Sequence, residues 1–360
     1  MTRPAPEKDI AEALAGEVEQ AFRDRAALCI RGSGSKDFLG REPAGRKLDV
    51  SRHRGVISYE PTELVLTARS GTRLSEIRDV LADQGQMLAF EPPAFGDEAT
   101  LGGTIAAGLS GPRRPYAGSA RDFVLGVTML NGQGESGRFG GEVIKNVAGY
   151  DVSRLMAGAM GTLGVLLDVS LKVLPRPEAE RTRVFKLSAA AALEKLTTLG
   201  RLPIPLSGAA WMEGRLYVRL SGSASGVSAA ERELIGEPLA EKEAAGFWTG
   251  LREHRLDFFA DDRPLWRLGL PPAAPELGLD GKGLIDWGGG QRWLFSALPA
   301  ETIRDRAAAA GGHATLFRGG DRREAIFHPL SQAMLALHQR VKAALDPAGI
   351  FNPGRLYEGL

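Results

Sequence analysis

The residues with the most chemical promise here are small ones. Ile30–Lys36, "IRGSGSK", leaves the apolar stretch "AALC" and enters glycines and serines that end on a lysine. Such a turn uncovers backbone N–H groups and suits a bound anion, usually a phosphate. It matches neither common phosphate loop. A Walker loop needs Ser or Thr after its lysine, where this chain has Asp37, and G-x-G-x-x-G needs a glycine at that same place. Taken alone, the segment fits a plain strand-to-loop turn better than a phosphate loop. Two further clusters follow, "TLGGTIAAGLSG" (100–111) and "GGEVIKNVAGYD…GAMGTLGV" (140–165). None is specific by itself, but their order between strands is informative.

The titratable candidates are sparse. The five histidines are His53, His254, His313, His328 and His338; only the last two approach ligand spacing, ten residues apart. A zinc site or a catalytic triad has no support. His338 falls on the polar side of a helix, and His328 precedes Pro329 at that helix's start. His313 opens the strand "HATLFRGG" and is the residue to test as a base. Lys145, Asn146 and Tyr150 suit either a ligand contact or a strand-end hydrogen bond. Trp287 suits either a site or the core. Arg267 and Arg292 have the fork that grips a small carboxylate, with a salt-bridged arginine as the alternative.

Composition bounds the rest. Lys and Arg number 45 against 44 Asp and Glu, a net charge of +1 over 360 residues. No global field therefore draws nucleic acid or an anionic membrane. The single cysteine, Cys29, excludes an internal disulfide and a cysteine-held iron–sulfur cluster. It is expected to pack as a small hydrophobe. The N-terminal residues have no signal-peptide h-region, and no apolar run reaches membrane-spanning length. The expectation is a soluble chain of a reducing, cytoplasmic compartment. Glycine is the outlier at 46 of 360, about 13% against a usual ~7%.

These residues need elements to hold them. Ile10, Leu14, Val18 and Phe22 predict a first helix. Strands are expected at "ALCIR", "KLDV", "GVISYE", "ELVLTAR" and "QMLAFEPP". A helix over "SGTRLSEIRDVLADQG" would be capped by Thr72 or Ser75 and stopped by Gly85. "DFVLGVTMLNGQGESGRFGG" reads as strand, turn and strand around Asn131-Gly132. All five tryptophans lie beyond residue 210, and this shift puts a boundary near 175–182. The second half reads as an antiparallel sheet with helices around 188–199, 228–243 and 301–311, an α+β layer. Leu330, Met334, Leu337, Val341 and Leu345 form the stripe of a last helix.

In this order the motifs "RGSGSK", "EPPAFGDEATLGGTIAAGLSGPRRPYAGSARDFVLG", "GEVIKNVAGYDVSRLMAGAMGTLGV", "LWRLGLP", "DWGGGQRW" and "FHPLSQAMLALHQRVKAALDPAGIFNPGRLY" resemble the vanillyl-alcohol oxidase superfamily. Its members carry a PCMH-type FAD-binding domain, and the likeness is strongest to the FAD-binding subunits of bacterial glycolate oxidases. It covers nearly the whole chain. The resemblance implies an α+β fold: a two-lobed PCMH-type FAD domain (1–178), a smaller α+β cap-like domain (179–325), and a C-terminal helix and tail (326–360) packing back on the first. It implies FAD held by the first loop, Arg31, Gly32, Ser33, Gly34, Ser35 and Lys36. From the other side come Pro93, Thr100, Leu101, Gly102, Gly103, Thr104 and Ala107. Arg121, Asp122, Val143, Ile144, Gly161 and Gly164 complete the set. The first loop lacks the histidine that tethers FAD in many members, so non-covalent FAD is expected.

The same resemblance implies flavin-dependent oxidation of glycolate, a small 2-hydroxyacid, to glyoxylate. The expected partners are a homologous FAD catalytic subunit and an iron–sulfur subunit, because this chain has no cluster cysteines. The complex would place it peripherally on the inner membrane. The late histidine motif of the catalytic relatives is missing here. A self-sufficient flavin oxidoreductase for another small alcohol or hydroxyacid, or a scaffold without turnover, therefore stays open.

Overall fold

A computed structural model describes residues 8–141 and 150–360. The first lobe opens with α1 (Ala11–Asp24), whose Leu14, Val18 and Ala21 are buried, as four-residue spacing requires. Strands β1 (Leu28–Arg31) and β2 (Arg46–Asp49) pair in parallel. Next come β3 (Val56–Glu60), β4 (Val65–Arg69), α2 (Leu74–Asp83) and α3 (Leu101–Ala107). The lobe closes with β5 (Val124–Leu130), β6 (Ser136–Gly140) and β7 (Val165–Lys172). The five longer strands form one sheet in the order β3-β4-β7-β5-β6, antiparallel at every pairing. β4 and β7 are buried almost throughout, so both faces of this sheet are covered. The hairpin expected at Asn131-Gly132 is present, with the Asn131 side chain accepting from the N–H of Gln133 and Glu135.

The second lobe contributes β8 (Ala179–Lys186), α4 (Ala189–Leu199), β9 (Leu206–Met212), β10 (Arg215–Gly222), α5 (Ala224–Glu233), β11 (Glu237–Leu239) and α6 (Glu241–Glu253). It continues through β12 (Leu265–Gly269), β13 (Lys282–Asp286), β14 (Gln291–Phe295), α7 (Ala300–Ala309) and β15 (His313–Arg318). Its eight strands run antiparallel in the order β11-β8-β10-β9-β13-β14-β12-β15. The last helix, α8 (Gln332–Leu345), leads into a tail that returns to the start of the chain. There Leu28 donates its N–H to Ile350 and accepts from Asn352.

Local expectations needed correction in several places. The single helix around 228–243 is two helices, parted by a short strand that contains Pro238, which cannot continue a helix. Most of "QMLAFEPP" is irregular: only Gln86–Met87 forms a strand, and Glu91 has φ +46°. Thr72 does not cap α2; its hydroxyl is tied to the N–H and carbonyl of Gly55. The stripe of α8 is only partly covered, with Met334 and Leu337 each 44% exposed. That helix is anchored by a polar group instead. Buried Lys342 donates to Asp346 and to the carbonyls of Thr162 and Phe351.

Candidate functional site

The three glycine-rich segments, far apart in sequence, meet. One cleft, open to solvent, is lined by the whole first loop from Arg31 to Lys36. Thr100, Gly102, Gly103 and Ala107 line it from the second segment, and Gly161 and Gly164 from the third. The second segment is held in place by α3. Thr100 caps this helix by accepting from Gly103 N–H at 3.3 Å, and Gly102 N–H bonds Ser70 O at 2.7 Å at the end of β4. A Cβ on Gly102 would sit 2.6 Å from the Ser70 Cβ, so this approach needs glycine. A Cβ on Gly103 would instead meet only the Thr100 hydroxyl and point into free space.

The cleft is chemically suited to a dinucleotide with an anionic bridge and a flat ring. Among the described residues, the backbone N–H groups of Ser33, Gly34 and Lys36 have no hydrogen-bond partner. Two buried side-chain atoms in the wall, Arg31 Nε and Ser70 Oγ, have none either. Buried polar groups are rarely left so unless a ligand completes them. Among the described residues, Arg31, Lys36 and Arg355 face the cleft against one carboxylate, that of Asp37, which is ion-paired with Arg31. Lys36 Nζ bonds the Ala94 carbonyl at 3.2 Å and the Ser35 hydroxyl at 3.3 Å but no carboxylate. Burial pushes its ammonium down to about 8, with Glu253 opposing. Ala106, Met156, Met160 and Leu166 add apolar wall.

The remaining predicted residues lie elsewhere. Leu101 is fully buried in the first core, and the Thr104 hydroxyl bonds Thr100 O within α3. Arg121 and Asp122 sit in a one-turn helix, where the Asp122 carboxylate accepts from Ser119 N and Oγ instead of facing the cleft. Pro93 lines a second, separate cavity between the lobes. Val143, Ile144, Lys145 and Asn146 lie outside the described residues, and Tyr150 is 94% exposed. His313 is exposed at the start of β15 and lines neither cavity. Arg292 is spent on the carbonyls of Ala274 and Pro275. Cys29 is not a core hydrophobe: it is half-buried in the cleft wall, and burial raises its thiol.

The tail supplies what the sequence did not reveal. Asn352 and Arg355 both line the cleft. The Asn352 side chain accepts from Ile30 N at 2.7 Å and donates to Met160 O at 2.6 Å, stapling β1 to the third segment. Arg355 donates to the carbonyls of Arg41 and Asp37. The "NPG" turn was visible as a turn, but nothing in its spacing told where it lands.

Comparisons with known proteins agree with this geometry. Residues 3–140 match the model of an FAD binding domain, and residues 303–356 match the C-terminal domain of FAD linked oxidases. The glycolate oxidase subunit GlcE of Escherichia coli is 50% identical over 354 residues, 98% of this chain and 99% of the relative. The glycolate oxidase subunit GlcD of Bacillus subtilis is 29% identical over 160 residues, 44% of this chain and 34% of that protein. A solved structure of alkyldihydroxyacetonephosphate synthase superposes with a TM-score of 0.67 at 16% identity, covering 96% of this chain and 76% of that one. With near-complete coverage by a half-identical relative and the cofactor's own domain model on the glycine-lined cleft, the chain belongs to the GlcE family of FAD-linked oxidoreductases.

Proposed function

We propose that this chain is the FAD-binding subunit of a glycolate-oxidising complex, organised as an FAD domain (1–178), a cap-like domain (179–325) and a returning C-terminal helix and tail (326–360). The observation that carries the proposal is the convergence of three small-residue turns, with unpartnered amides, on one cleft. FAD, when bound, supplies a two-electron acceptor. The chain's own residues bind and orient it. The amides of Ser33, Gly34 and Lys36 hold the pyrophosphate, and Arg31 and Lys36 compensate its charge. Ala106, Ala107 and Met160 exclude water from the apolar ring.

Attachment is non-covalent. Among the described residues, the cleft wall contains no histidine, and Cys29, the chain's one cysteine, has its thiol pushed up by burial, which makes it a poor nucleophile. Among the described residues no group of three His, Cys, Asp or Glu is placed to hold a metal, and no helix is long and apolar enough to cross a membrane. Iron–sulfur centres and the path to the membrane therefore belong to partners: a homologous flavin subunit and a cluster-bearing subunit, with this chain attached from the cytoplasmic side.

The test is co-expression with those two partners. The three chains should co-purify and reduce an electron acceptor when given glycolate. Acid precipitation of this chain alone should release all its flavin into the supernatant. Flavin colour retained in the pellet contradicts non-covalent binding, and an assembled complex inert toward glycolate contradicts the function.

A further inference from the structure

At the seam between the lobes, one amide stands between a buried carboxyl and a buried cation. Asp286, at the end of β13, is 3% exposed. Its Oδ1 accepts from the N–H of Trp287 at 2.7 Å, and its Oδ2 from Gln291 Nε2 at 3.2 Å. Gln291 spends its other end on Arg267, whose Nε donates to Oε1 at 2.6 Å. Among the described residues the Arg267 side chain has no other hydrogen bond and no ion pair. The line also reports across the seam. Trp287, held at φ +53°, donates its indole Nε1 to the carbonyl of Gly111 in the first lobe at 3.0 Å. Its ring lies 4.9 Å from the Arg267 guanidinium and 4.3 Å from that of Arg114.

A side-chain amide has one acceptor oxygen and one donor nitrogen. With Asp286 ionised, the amide donates to the carboxylate and keeps its oxygen for Arg267. With Asp286 protonated, the carboxyl O–H and the guanidinium N–H compete for that one oxygen. If the amide turns to accept from the carboxyl, its nitrogen meets Arg267 Nε, donor against donor, and the guanidinium loses its bond. Opposed buried donors are costly, so the two arrangements exclude each other. The neighbouring charges leave Asp286 as the group that titrates near neutrality. Burial raises its carboxyl to about 7, with Glu91 adding to the rise and Arg219 opposing it. Burial, and then Arg114, lower Arg267 to about 10, so it stays cationic. Burial raises Tyr116, which faces the same carboxyl from the first lobe, and it stays neutral. Although burial opposes them, Arg219 and Arg113 hold Glu91 below its ordinary value. Burial lowers both His254, just past α6, and His313 on β15, the two imidazoles that feel Arg267.

We propose that Asp286, Gln291 and Arg267 form a proton-operated switch in the seam: with Asp286 ionised Gln291 ties Arg267 down, and protonation of Asp286 turns the amide and releases the guanidinium from Trp287. The proton is exchanged with solvent through the cavity between the lobes, whose wall all three residues share. Gln291 is the moving part, because it alone touches both ends. Trp287 is the reporter, since it carries the bond to Gly111 and stacks against the released cation. The pH of the surroundings is thereby written into how the second lobe grips the first.

The test uses the purified full-length chain. Its tryptophan emission, less that of Trp287→Phe, is followed between about pH 5.5 and 8.5 and should pass through a single-proton transition. Asp286→Asn, which carries a fixed donor where the carboxyl would carry its proton, should give the low-pH emission throughout. Gln291→Glu sets a like charge beside Asp286 and should raise the midpoint by about one pH unit or more. A transition that persists in Asp286→Asn, or no Trp287-dependent change in the wild type, overturns the proposal. Should Asp286→Asn fail to fold, wild-type crystals at the two ends of the range decide. The bond from Arg267 Nε to Gln291 Oε1 present at high pH and lost at low pH supports the switch, and the same bond at both overturns it. None of these readouts depends on the function proposed above.

Discussion

The glycine-lined cleft and the seam between the lobes solve the problem of burying charge in opposite ways. The cleft leaves polar backbone and two side-chain atoms unsatisfied and waits for a ligand to complete them. The seam is mostly self-complete. Glu91, its side chain 14% exposed, accepts from Arg113 N and Nε and from Arg219, and Glu180 takes a second bond from Arg113. Arg219 also lies 4.8 Å from the Trp248 ring. The difference teaches where substitutions will hurt. Changes in the seam should cost stability, whereas changes in the cleft should cost flavin.

The largest effect should come from the seam. Glu91→Ala takes from Arg219 and Arg113 the more buried of their two carboxylates and leaves them only Glu180, and breaking a buried pair this way costs about 3–5 kcal/mol. Its urea midpoint should fall accordingly; a midpoint like the wild type's would show the network to be solvated. The cleft gives the next effect through pH. Lys36 is depressed to about 8 in the folded, flavin-free protein, against an ordinary 10.5. Between those values the unfolded chain holds the extra proton, so stability should rise with pH across this window, by up to roughly 3 kcal/mol. Below about pH 8 both states are protonated and the penalty is fully present. Lys36→Met should remove the rise and be the more stable protein at pH 7. A parallel pH dependence in both proteins would assign the rise elsewhere.

Smaller effects sharpen the contrast. Gly103→Val places a side chain in the free space of the cleft, and should lower flavin affinity at least tenfold, about 1.4 kcal/mol, with the melting temperature of the apoprotein nearly unchanged. Flavin content after gel filtration reads this out directly. Smallest of all, His313→Ala should stay within about 0.5 kcal/mol in stability, because that side chain is exposed and outside both cavities. Glycolate turnover in the assembled complex should match the wild type's, and a loss beyond tenfold would return His313 to the reaction.

The same contrast explains what could be read from the amino acids. The cleft was legible because backbone-built sites must use small residues, and "GSGS", "TLGG" and "GTLGV" advertise them in order. Leu101 and Thr104 were swept in with their neighbours. A helix in "TLGGTIAA" turns one side, with Leu101 and Ile105, into the core, and Thr100, Gly102, Gly103, Ala106 and Ala107 reach the cleft. The seam was barely legible. Arg267 and Trp287 drew notice as residue types, but Gln291, Asp286 and His254 gain meaning only when β12, β13, β14 and the end of α6 are side by side. Glu91 sits in a segment that reads as a strand, and its left-handed backbone shows only in three dimensions.

The stapling of Ile30 and Met160 by Asn352 has a consequence for biogenesis. A wall of the cofactor's berth is contributed by a residue that must close a loop of more than three hundred residues upon strand β1. Such distant closure is slow relative to local folding. Flavin insertion is therefore expected to wait for Asn352, and a chain without this asparagine carries an unlatched vessel.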